Sequence, residues 1–413
     1  MYGGILLYST LSGAIIYIPH ENLDSQGGVN FSGLKKNSID ALVRTHMVFA
    51  SDEAERVFVK TAYRQFMSIV NDVLYITVEI TDACNLVCDY CYQEKFSKRR
   101  YIDECVIAKF LSLLRASALK SIKSLNVNFI GGEPFLLPRR VVQIWNQLCE
   151  FASERNYSIS TKINTNGVLL DQETLSCFHN AEVVFPLGAP IDYRTIIRKQ
   201  AERSGSLREM LKRKILELAP IFNANNDMTI VFRYNVNHNN TQYFKDYVDE
   251  IRSFGIYKSR IDVVNTNNNA HGCFHNELTD RQFWHWYLQD ALPVLLQYKF
   301  QEPIQFRNQI SRCKARRQYS FKLFADGRLG LCNGIPHSNS LPSIDDFNNL
   351  EMLNDYWAEI KGFDYMLTSR CDQCNKIFVC GGSAICHDLS CDTLDYKIET
   401  YVKRKYEIFN SSR

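Results

Sequence analysis

The most constraining feature of the sequence is a short cysteine-rich stretch, TDACNLVCDYCYQ, at residues 81–93. Its three cysteines, Cys84, Cys88 and Cys91, have the spacing C-x3-C-x2-C and follow the apolar run 73–80. We therefore expect three thiolates on one short loop at the end of a strand. A zinc site closed by protein needs four ligands, whereas thiolates on a tight loop also hold iron–sulfur clusters. Three cysteines favour a cubane cluster with one iron left free.

The neighbours of these cysteines argue against a different interpretation, in which the thiols are packed in the protein core. Buried free cysteines normally lie among apolar side chains. Here Asp82, Asn85 and Asp89 lie between or beside them. The loop is therefore predicted to ligate a metal rather than to fill a core.

The stretch resembles the signature of the radical S-adenosylmethionine (SAM) enzymes, including an aromatic residue, Tyr90, before the third cysteine. The resemblance implies that Cys84, Cys88 and Cys91 hold a [4Fe-4S] cluster whose fourth iron is chelated by the amino and carboxylate groups of SAM. An electron from the reduced cluster then cleaves a C–S bond, giving methionine and a 5'-deoxyadenosyl radical that abstracts hydrogen from an unactivated C–H bond. The protein supplies position and exclusion of water.

Composition limits the class of protein. The chain has 413 residues, of which 46% are hydrophobic and 23% charged, which predicts an ordinary globular protein of two or three domains. A net charge of +3 is too small to indicate nucleic acid as a partner. No apolar run approaches the roughly 20 residues that span a bilayer, and the glycine-interrupted N-terminus does not resemble a secretory signal. We expect a cytoplasmic protein without a membrane partner.

The fourteen cysteines are distributed unevenly. Three lie at 84–91 and seven between 313 and 391. A disulfide framework is typical of small exported domains, so this clustering favours metal ligation in a reducing compartment. Three others, Cys105, Cys149 and Cys177, fall on predicted helices and are expected to pack as small hydrophobes.

Residues 73–300 alternate between β-prone and helical stretches, which predicts parallel strands with crossover helices. After the cysteine loop, Ile107, Phe110, Leu111 and Leu114 follow the spacing of an amphipathic helix. The strands are expected near 73–81, 125–130, 158–165, 182–188, 227–235 and 259–264. The predicted fold class is α/β, a partial (β/α)6 TIM-like barrel with its chemistry at the C-terminal strand ends.

Residues 1–72 are predicted to form a separate small α+β unit. A hairpin of 5–8 and 14–18 precedes a helix at 33–44, with Asn30 and Ser32 as possible caps, and a second helix at 52–69. The arrangement is similar to the leader-peptide recognition elements of peptide-modifying radical SAM enzymes. A plain cap on the open end of the barrel is the alternative.

Turns after the second and third strands are candidate cofactor sites. Gly131, Gly132, Glu133 and Pro134 lie where a backbone must approach a ligand closely and where a carboxylate can accept hydrogen bonds. In this position they resemble the family motif that binds the methionyl amino group of SAM. The turn that begins with Asn164 matches another frequent family turn and is expected to support the site.

The end of the fourth strand departs from the family pattern. It reads Phe185-Pro186-Leu187-Gly188-Ala189-Pro190, whereas relatives usually carry Ser-Leu-Asp-Gly-Pro, so the serine and aspartate associated there with the ribose are absent. Arg198 lies where the family has an arginine associated with the cofactor carboxylate. A solvent-facing helix arginine is the alternative.

In the C-terminal third, predicted as a domain over 301–413, Cys313 is followed after 13 residues by Gly327 and after four more by Cys332. Further on, Cys371, Cys374 and Cys380 form C-x2-C-x5-C, and Cys386 and Cys391 follow. This pattern resembles the SPASM extension of these enzymes, which holds two auxiliary [4Fe-4S] clusters. It departs from the family in two spacings, since five residues instead of three separate Cys380 from Cys386 and Cys391 follows sooner than usual.

The family connectivity implies an outer cluster on Cys371, Cys374, Cys380 and Cys391, and an inner cluster on Cys313, Cys332 and Cys386. Zinc is the alternative for this region, since C-x2-C suits it. The basic run Lys314 to Arg317 is interpreted as a solvated face, or as a contact for an acidic peptide.

The inner cluster lacks a fourth cysteine. Either its fourth iron is open to a substrate thiolate, which is the prediction preferred here, or Cys273 supplies the ligand. Three [4Fe-4S] clusters and SAM are thus the predicted cofactors.

The resemblance predicts a maturase that acts on a ribosomally made precursor peptide, forming a thioether or carbon–carbon crosslink. An external electron donor of the flavodoxin or ferredoxin type is implied. One alternative is a sulfatase-type formylglycine maturase. It is disfavoured because Asn333 follows Cys332 at the position where those maturases carry an aspartate that acts as a base. Another alternative is a peptide epimerase or splicease. A non-catalytic zinc-stabilised binding protein is the alternative from another class.

Overall fold

The computed structural model describes residues 4–69, 72–86, 88, 91, 98–188, 204–265, 277–303, 314–335, 337–361, 371, 374–380 and 391–411. The chain divides into two compact units. Unit 1 comprises Met1–Val70, Ile304–Arg317 and Gly362–Arg413, and unit 2 comprises Asn71–Pro303 and Gln318–Lys361. The N-terminal segment thus shares a unit with two C-terminal stretches, and the three-domain division at residues 72 and 300 stays a prediction.

The bounds of the strands and helices are as follows. In the described residues the strands are β1 (Gly4–Tyr8), β2 (Ile15–Pro19), β3 (Val73–Glu79), β4 (Ser124–Ile130), β5 (Ser158–Asn164), β6 (Ala181–Phe185), β7 (Met228–Val236), β8 (Ser259–Asn265), β9 (Ser320–Leu323) and β10 (Leu329–Gly330). The helices are α1 (Lys36–Arg44), α2 (Asp52–Ile69), α3 (Glu104–Ala116), α4 (Pro138–Glu154), α5 (Gln172–Ser176), α6 (Ser204–Ala224), α7 (Phe244–Ser253), α8 (Asp280–Trp286), α9 (Leu292–Gln297), α10 (Leu350–Tyr356), α11 (Ala358–Lys361), α12 (Ile377–Cys380) and α13 (Cys391–Ser411). None of these helices is long and apolar enough to cross a membrane.

Unit 2 is built on one sheet in the order β10-β9-β3-β4-β5-β6-β7-β8. All neighbouring pairs are parallel except β10 with β9. The six predicted strands and the α/β fold class are confirmed. The sequence did not predict that β9 would extend the sheet by pairing with β3, from Tyr75–Ser320 to Val78–Leu323.

The two faces of this sheet differ because side chains alternate along each strand. One face is apolar: Ile76 and Val78 of β3 are buried, as are Val127 and Phe129 of β4. The helix after the cysteine loop, α3, buries the four predicted residues Ile107, Phe110, Leu111 and Leu114. Each fully buried side chain of this size contributes about 1.5–3 kcal/mol relative to exposure.

The opposite face carries polar residues that contact each other across the strands. The contacts join Asn126 Nδ2 to Ser160 Oγ (2.9 Å), Asn164 Nδ2 to Asn128 Oδ1 (2.8 Å), Arg260 to Glu182 (2.9 Å) and Lys322 to Glu79 (3.0 Å). A core sheet face would be apolar, so this face is suited to binding polar ligands.

In unit 1 the predicted hairpin is formed by β1 and β2, and the second predicted helix is α2. The first helix starts at Lys36 rather than Gly33, because Phe31–Gly33 form a 3-10 turn and Lys35 is extended. Neither Asn30 nor Ser32 caps it: the Ser32 hydroxyl donates instead to Asn30 Oδ1 over 2.6 Å.

Candidate active site

The cysteine loop begins directly beyond β3. Cys84 is exposed, whereas Cys88 and Cys91 are partly buried. The backbone N–H of Cys91 donates to the carbonyl of Cys88 over 2.9 Å, which closes a tight turn between these two thiols. In the part of the chain that the structure describes, no three His, Cys, Asp or Glu side chains are already gathered into a metal site. The predicted Tyr90 lies outside the described residues.

A buried carboxylate holds the returning end of this loop. Asp82 accepts the backbone N–H groups of Lys98 (2.9 Å) and Arg100 (2.6 Å). It also pairs with the Arg100 guanidinium, over 2.7 Å. The same guanidinium reaches Asp326, in the turn between β9 and β10, over 3.4 Å. Charge-assisted hydrogen bonds of this kind are the strong ones, so Asp82 fixes residues 98–100 against the start of the loop.

The GGEP turn after β4 contacts the backbone of the cysteine loop. Gly132 N donates to Thr81 O (2.8 Å), and Glu133 N donates to Ala83 O (2.9 Å). A Cβ on Gly132 would lie 2.1 Å from Ala83 O, and one on Gly131 would lie 2.2 Å from Thr81 O. Glycine is therefore required for the approach of the cysteine loop, whereas the sequence had attributed it to the approach of a ligand.

The Glu133 side chain is fully buried and points away from solvent. Its Oε1 accepts from Phe135 N (3.0 Å) and Thr165 Oγ1 (2.7 Å), and its Oε2 accepts from Asn166 N (2.7 Å). Burial raises the pKa of Glu133, while these three hydrogen bonds act in the opposite direction. Both carboxylate oxygens are thus engaged in joining the turns after β4 and β5.

The turn after β5 also contacts the cysteine loop directly. Asn166 Nδ2 donates to Asn85 Oδ1 over 2.7 Å and lies 3.7 Å from Cys84 Sγ. The predicted Asn164 contacts β4 instead, through Asn128. The loop, the GGEP turn and the Asn166 turn therefore form one hydrogen-bonded network at the C-terminal ends of three adjacent strands. Thr165 and Asn166 belong to this network although only Asn164 was predicted as a site residue.

The strand end after β6 is described only as far as Gly188, where Leu187 is buried. Ala189, Pro190 and the predicted Arg198 lie outside the described residues.

An ion pair that the sequence analysis missed lies on the polar face of the sheet. Lys322 of β9 donates to Glu79 of β3 over 3.0 Å, and both are almost completely buried. Burial lowers the pKa of Lys322, although the Glu79 carboxylate favours its charged form. The Lys322 ammonium also lies 3.9 Å from the centre of the Phe324 ring. A charged residue in each of two strands that are otherwise free of charge was the signal for this pair.

Three cysteines of the predicted outer cluster lie close together in unit 1. Cys374 N donates to Cys371 O over 3.2 Å, and Cys380 ends the short helix α12 that follows. Burial raises the pKa of the Cys374 thiol, and the neighbouring thiols of Cys371 and Cys380 add to this effect. Tyr63 of α2 packs with Phe378 in the apolar cluster beneath them. The N-terminal helix thus supports the turn that carries these cysteines.

The other predicted auxiliary ligands are Cys332 and Cys391, with Cys313 and Cys386. Cys332 lies in unit 2 and is partly buried. Cys391 begins α13. Cys313, Cys386 and the alternative ligand Cys273 lie outside the described residues.

Two minor expectations need correction. Cys105 and Cys177 are exposed, so they do not pack as core hydrophobes, whereas Cys149 is partly buried and burial raises its pKa to about 11. Arg316 is 4% exposed and its guanidinium donates to Tyr63 Oη over 3.1 Å, so the basic run is not a solvated face.

Residues 78–213 match the family model of the Radical SAM superfamily. The match covers a third of the chain and runs from the end of β3 through the cysteine loop and the network just described. This region is a radical SAM domain, which is the catalytic domain of an enzyme.

One characterised enzyme is similar to this chain over part of its sequence. The GTP 3',8-cyclase of Chlorobaculum tepidum is 32% identical over 100 residues, which are 24% of this chain. The match spans about a quarter (27%) of the cyclase's own length.

Solved structures match over more of the chain. The structure of anSMEcpe with bound AdoMet and Kp18Cys peptide has a TM-score of 0.60 at 13% identity, covering 82% of this chain and 98% of that one. Streptococcus suis SuiB bound to its precursor peptide SuiA has a TM-score of 0.54 at 14% identity, covering 85% and 83% of the two chains. SuiB bound to S-adenosylmethionine covers 94% of this chain, with a TM-score of 0.51 at 15% identity. At these identities the likeness concerns the fold.

Proposed function

We propose that this chain is a radical SAM maturase that modifies a ribosomally made precursor peptide. The observation that carries the proposal is the network that joins the cysteine loop to the two following turns, through Gly132 N to Thr81 O and through Glu133 to Asn166. This network orders the three-thiol loop at the C-terminal ends of parallel strands, where ligands bind in sheets of this kind.

The residues present fit a [4Fe-4S] cluster. Cys84, Cys88 and Cys91 supply three soft thiolate ligands on one loop, and a cubane held by three thiolates keeps one iron for SAM. When bound, the reduced cluster and SAM would supply the radical that removes hydrogen from the peptide. The Glu133 hydrogen bonds hold the turns that surround the cofactor position, and the Asp82–Arg100 pair holds the far end of the loop.

Auxiliary clusters remain part of the proposal. Cys371, Cys374 and Cys380, with Cys391, are the proposed ligands of the outer cluster, and Cys313, Cys332 and Cys386 of the inner one. Their role would be to accept the electron that remains after the substrate radical forms its new bond. An external flavodoxin or ferredoxin would supply the electron that starts the reaction.

Support for a peptide substrate comes from the solved structures of similar fold, two of which hold peptides, SuiA in SuiB and Kp18Cys in anSMEcpe. Unit 1 also contains a cavity of about 220 Å³. Its lining is mixed: apolar side chains such as Leu7, Met47 and Phe58 alternate with polar ones such as Ser9, Thr10 and Glu55. We assign this cavity to a side chain of the precursor that has both apolar and polar atoms, as the predicted recognition role of residues 1–72 would require.

The test of this function is the mass of a co-expressed peptide. Small peptides encoded next to the gene should change mass only with the active enzyme: a loss of two hydrogens indicates a crosslink, and an unchanged mass with altered stereochemistry indicates epimerisation. No covalent change in any such peptide, although the enzyme cleaves SAM, would refute the peptide substrate. A Met47→Trp substitution, which fills the cavity, should weaken peptide binding, whereas Val43→Trp on the exposed part of α1 should not.

A further inference from the structure

The polar face of the sheet contains two buried groups whose hydrogen bonding is incomplete. Glu79 and Asn128 are 3% and 2% exposed. Glu79 uses one oxygen, Oε2, for Lys322, and Asn128 uses Oδ1 to accept from Asn164. In the described part of the chain, Glu79 Oε1 and Asn128 Nδ2 have no hydrogen-bond partner. A buried polar atom left unpaired costs about 1–3 kcal/mol, so such atoms normally have a ligand or another partner.

Register places these two groups near each other. Thr77 of β3 is paired with Asn128 of β4, and Glu79 follows Thr77 by two residues, so all three side chains lie on the same face. Thr77 is also paired with Lys322 of β9. Its hydroxyl donates to Asn333, so it is not available to either group. The unpaired atoms are therefore one acceptor and one donor on neighbouring strands.

The charges limit what can bind there. Lys322 lies 3.0 Å from Glu79 and balances its charge, so the cluster is neutral as a whole. A charged ligand would add an unbalanced charge in a buried place, which is costly. The ligand that matches these two unpaired atoms is a neutral group with one hydrogen-bond donor and one acceptor on the same side. One residue of an extended peptide presents its N–H and C=O in this way, as in a strand pair.

We propose that Glu79 and Asn128 bind the main chain of one residue of the substrate peptide, whose N–H donates to Glu79 Oε1 and whose C=O accepts from Asn128 Nδ2. The proposal rests on the proposed function, because it takes the substrate to be a peptide. Glu79 ends β3, and the cysteine loop begins two residues later. The subsite would thus hold the peptide main chain on the polar face next to the radical source, independently of side-chain sequence.

The test uses N-acetylglycine N-methylamide, whose glycine carries both groups, with the full-length holoenzyme in the oxidised state. Proton–nitrogen spectra of asparagine-labelled protein report the Asn128 side-chain amide, which is assigned from its loss in Asn128→Ala. Asn126 provides an internal control, because its Nδ2 already donates to Ser160. We expect the probe to shift the Asn128 signal and not the Asn126 signal.

A second probe tests the contribution of the N–H that donates to Glu79. The ester analogue 2-acetoxy-N-methylacetamide lacks the N–H and should bind at least fivefold more weakly, because Glu79 would be left unpaired. Glu79→Gln should abolish this discrimination, since its amide can donate to the ester oxygen.

The proposal is overturned if neither probe shifts Asn128, if both bind equally to the wild type, or if SAM alone produces the shift, which would assign the pair to the cofactor. The proposal would also be overturned if Asn128 Nδ2 were found to donate to a bound water that neither probe displaces. These results do not depend on peptide modification, so a failure of the subsite is distinguishable from a failure of the proposed function.

Discussion

The carboxylate of Glu133 accepts the backbone N–H of Asn166 over 2.7 Å, which joins the turns after two neighbouring parallel strands. Asn166 in turn donates from its side chain to Asn85, one residue beyond Cys84. A single buried carboxylate thus connects the candidate cluster loop to the interior of the sheet. Both of its oxygens accept donors of the protein, so this carboxylate fixes the turns around the candidate site.

Replacing this carboxylate should destabilise unit 2. Glu133→Ala leaves the donors of Phe135, Thr165 and Asn166 unpaired in the interior. At about 1–3 kcal/mol for each buried unpaired group, and with partial relaxation, we expect a loss of about 3–5 kcal/mol in the free energy of unfolding. Urea denaturation measures it. Glu104→Ala, which removes an exposed ion pair with Arg140, should have little effect. Equal losses in both variants would contradict the assigned role.

Gly132 is expected to be intolerant of a side chain. The Cβ of Gly132→Ala would lie 2.1 Å from Ala83 O, and the obstructing atom is backbone, so the cysteine loop must shift. We expect the variant to fold but to lose about four irons per chain after anaerobic reconstitution. Gly255→Ala is the control, because it has open space around the new Cβ and incurs only the strain of its positive φ. Full iron content in Gly132→Ala would be incompatible with this packing.

The sequence predicted the strands of unit 2 well, because each is a short β-prone run followed by turn residues. It also predicted a cluster on Cys84, Cys88 and Cys91, because these residues are close in sequence, and that role stays a prediction. It could not predict contacts between distant residues: Glu79 and Lys322 are paired across the sheet although they are far apart in the chain. The same limit explains why the reason for Gly132 was misjudged, because periodicity does not reveal which backbone passes beside a turn.

The hydrogen bonds and ion pair of Asp82 should protect residues 98–100 from proteolysis. Lys98 and Arg99 are exposed trypsin sites, and the segment is held by the bonds from Lys98 N and Arg100 to Asp82. Asp82→Asn loses the charge that strengthens these bonds, so cleavage after Lys98 and Arg99 should accelerate severalfold. Limited trypsin digestion with mass spectrometry measures the rate. Asp171→Asn, which alters the N-cap of α5, should leave cleavage at these sites unchanged. An unchanged rate in Asp82→Asn would show that other contacts hold the segment.

Lys361 should make stability depend on pH. Burial lowers the pKa of Lys361 from 10.5 to about 7. Between these values the unfolded chain binds a proton that the folded chain does not, so stability should rise with pH, by up to about 1.4 kcal/mol per unit. Urea midpoints at pH 7, 8 and 9 test this, after subtraction of the same series for Lys361→Met. Lys120→Met, at an exposed position, should retain the wild-type slope. A Lys361→Met series parallel to the wild type would rule out Lys361 as the source.

The proposed function depends above all on Cys84, Cys88 and Cys91 holding the cluster that activates SAM. The most direct measurement is reductive SAM cleavage by the triple variant Cys84→Ala/Cys88→Ala/Cys91→Ala, together with its iron and sulfide content after anaerobic reconstitution. We expect 5'-deoxyadenosine formation to be abolished and about four irons per chain to be lost, while absorbance near 400 nm from the remaining iron persists. Continued formation of 5'-deoxyadenosine by the triple variant would contradict this expectation.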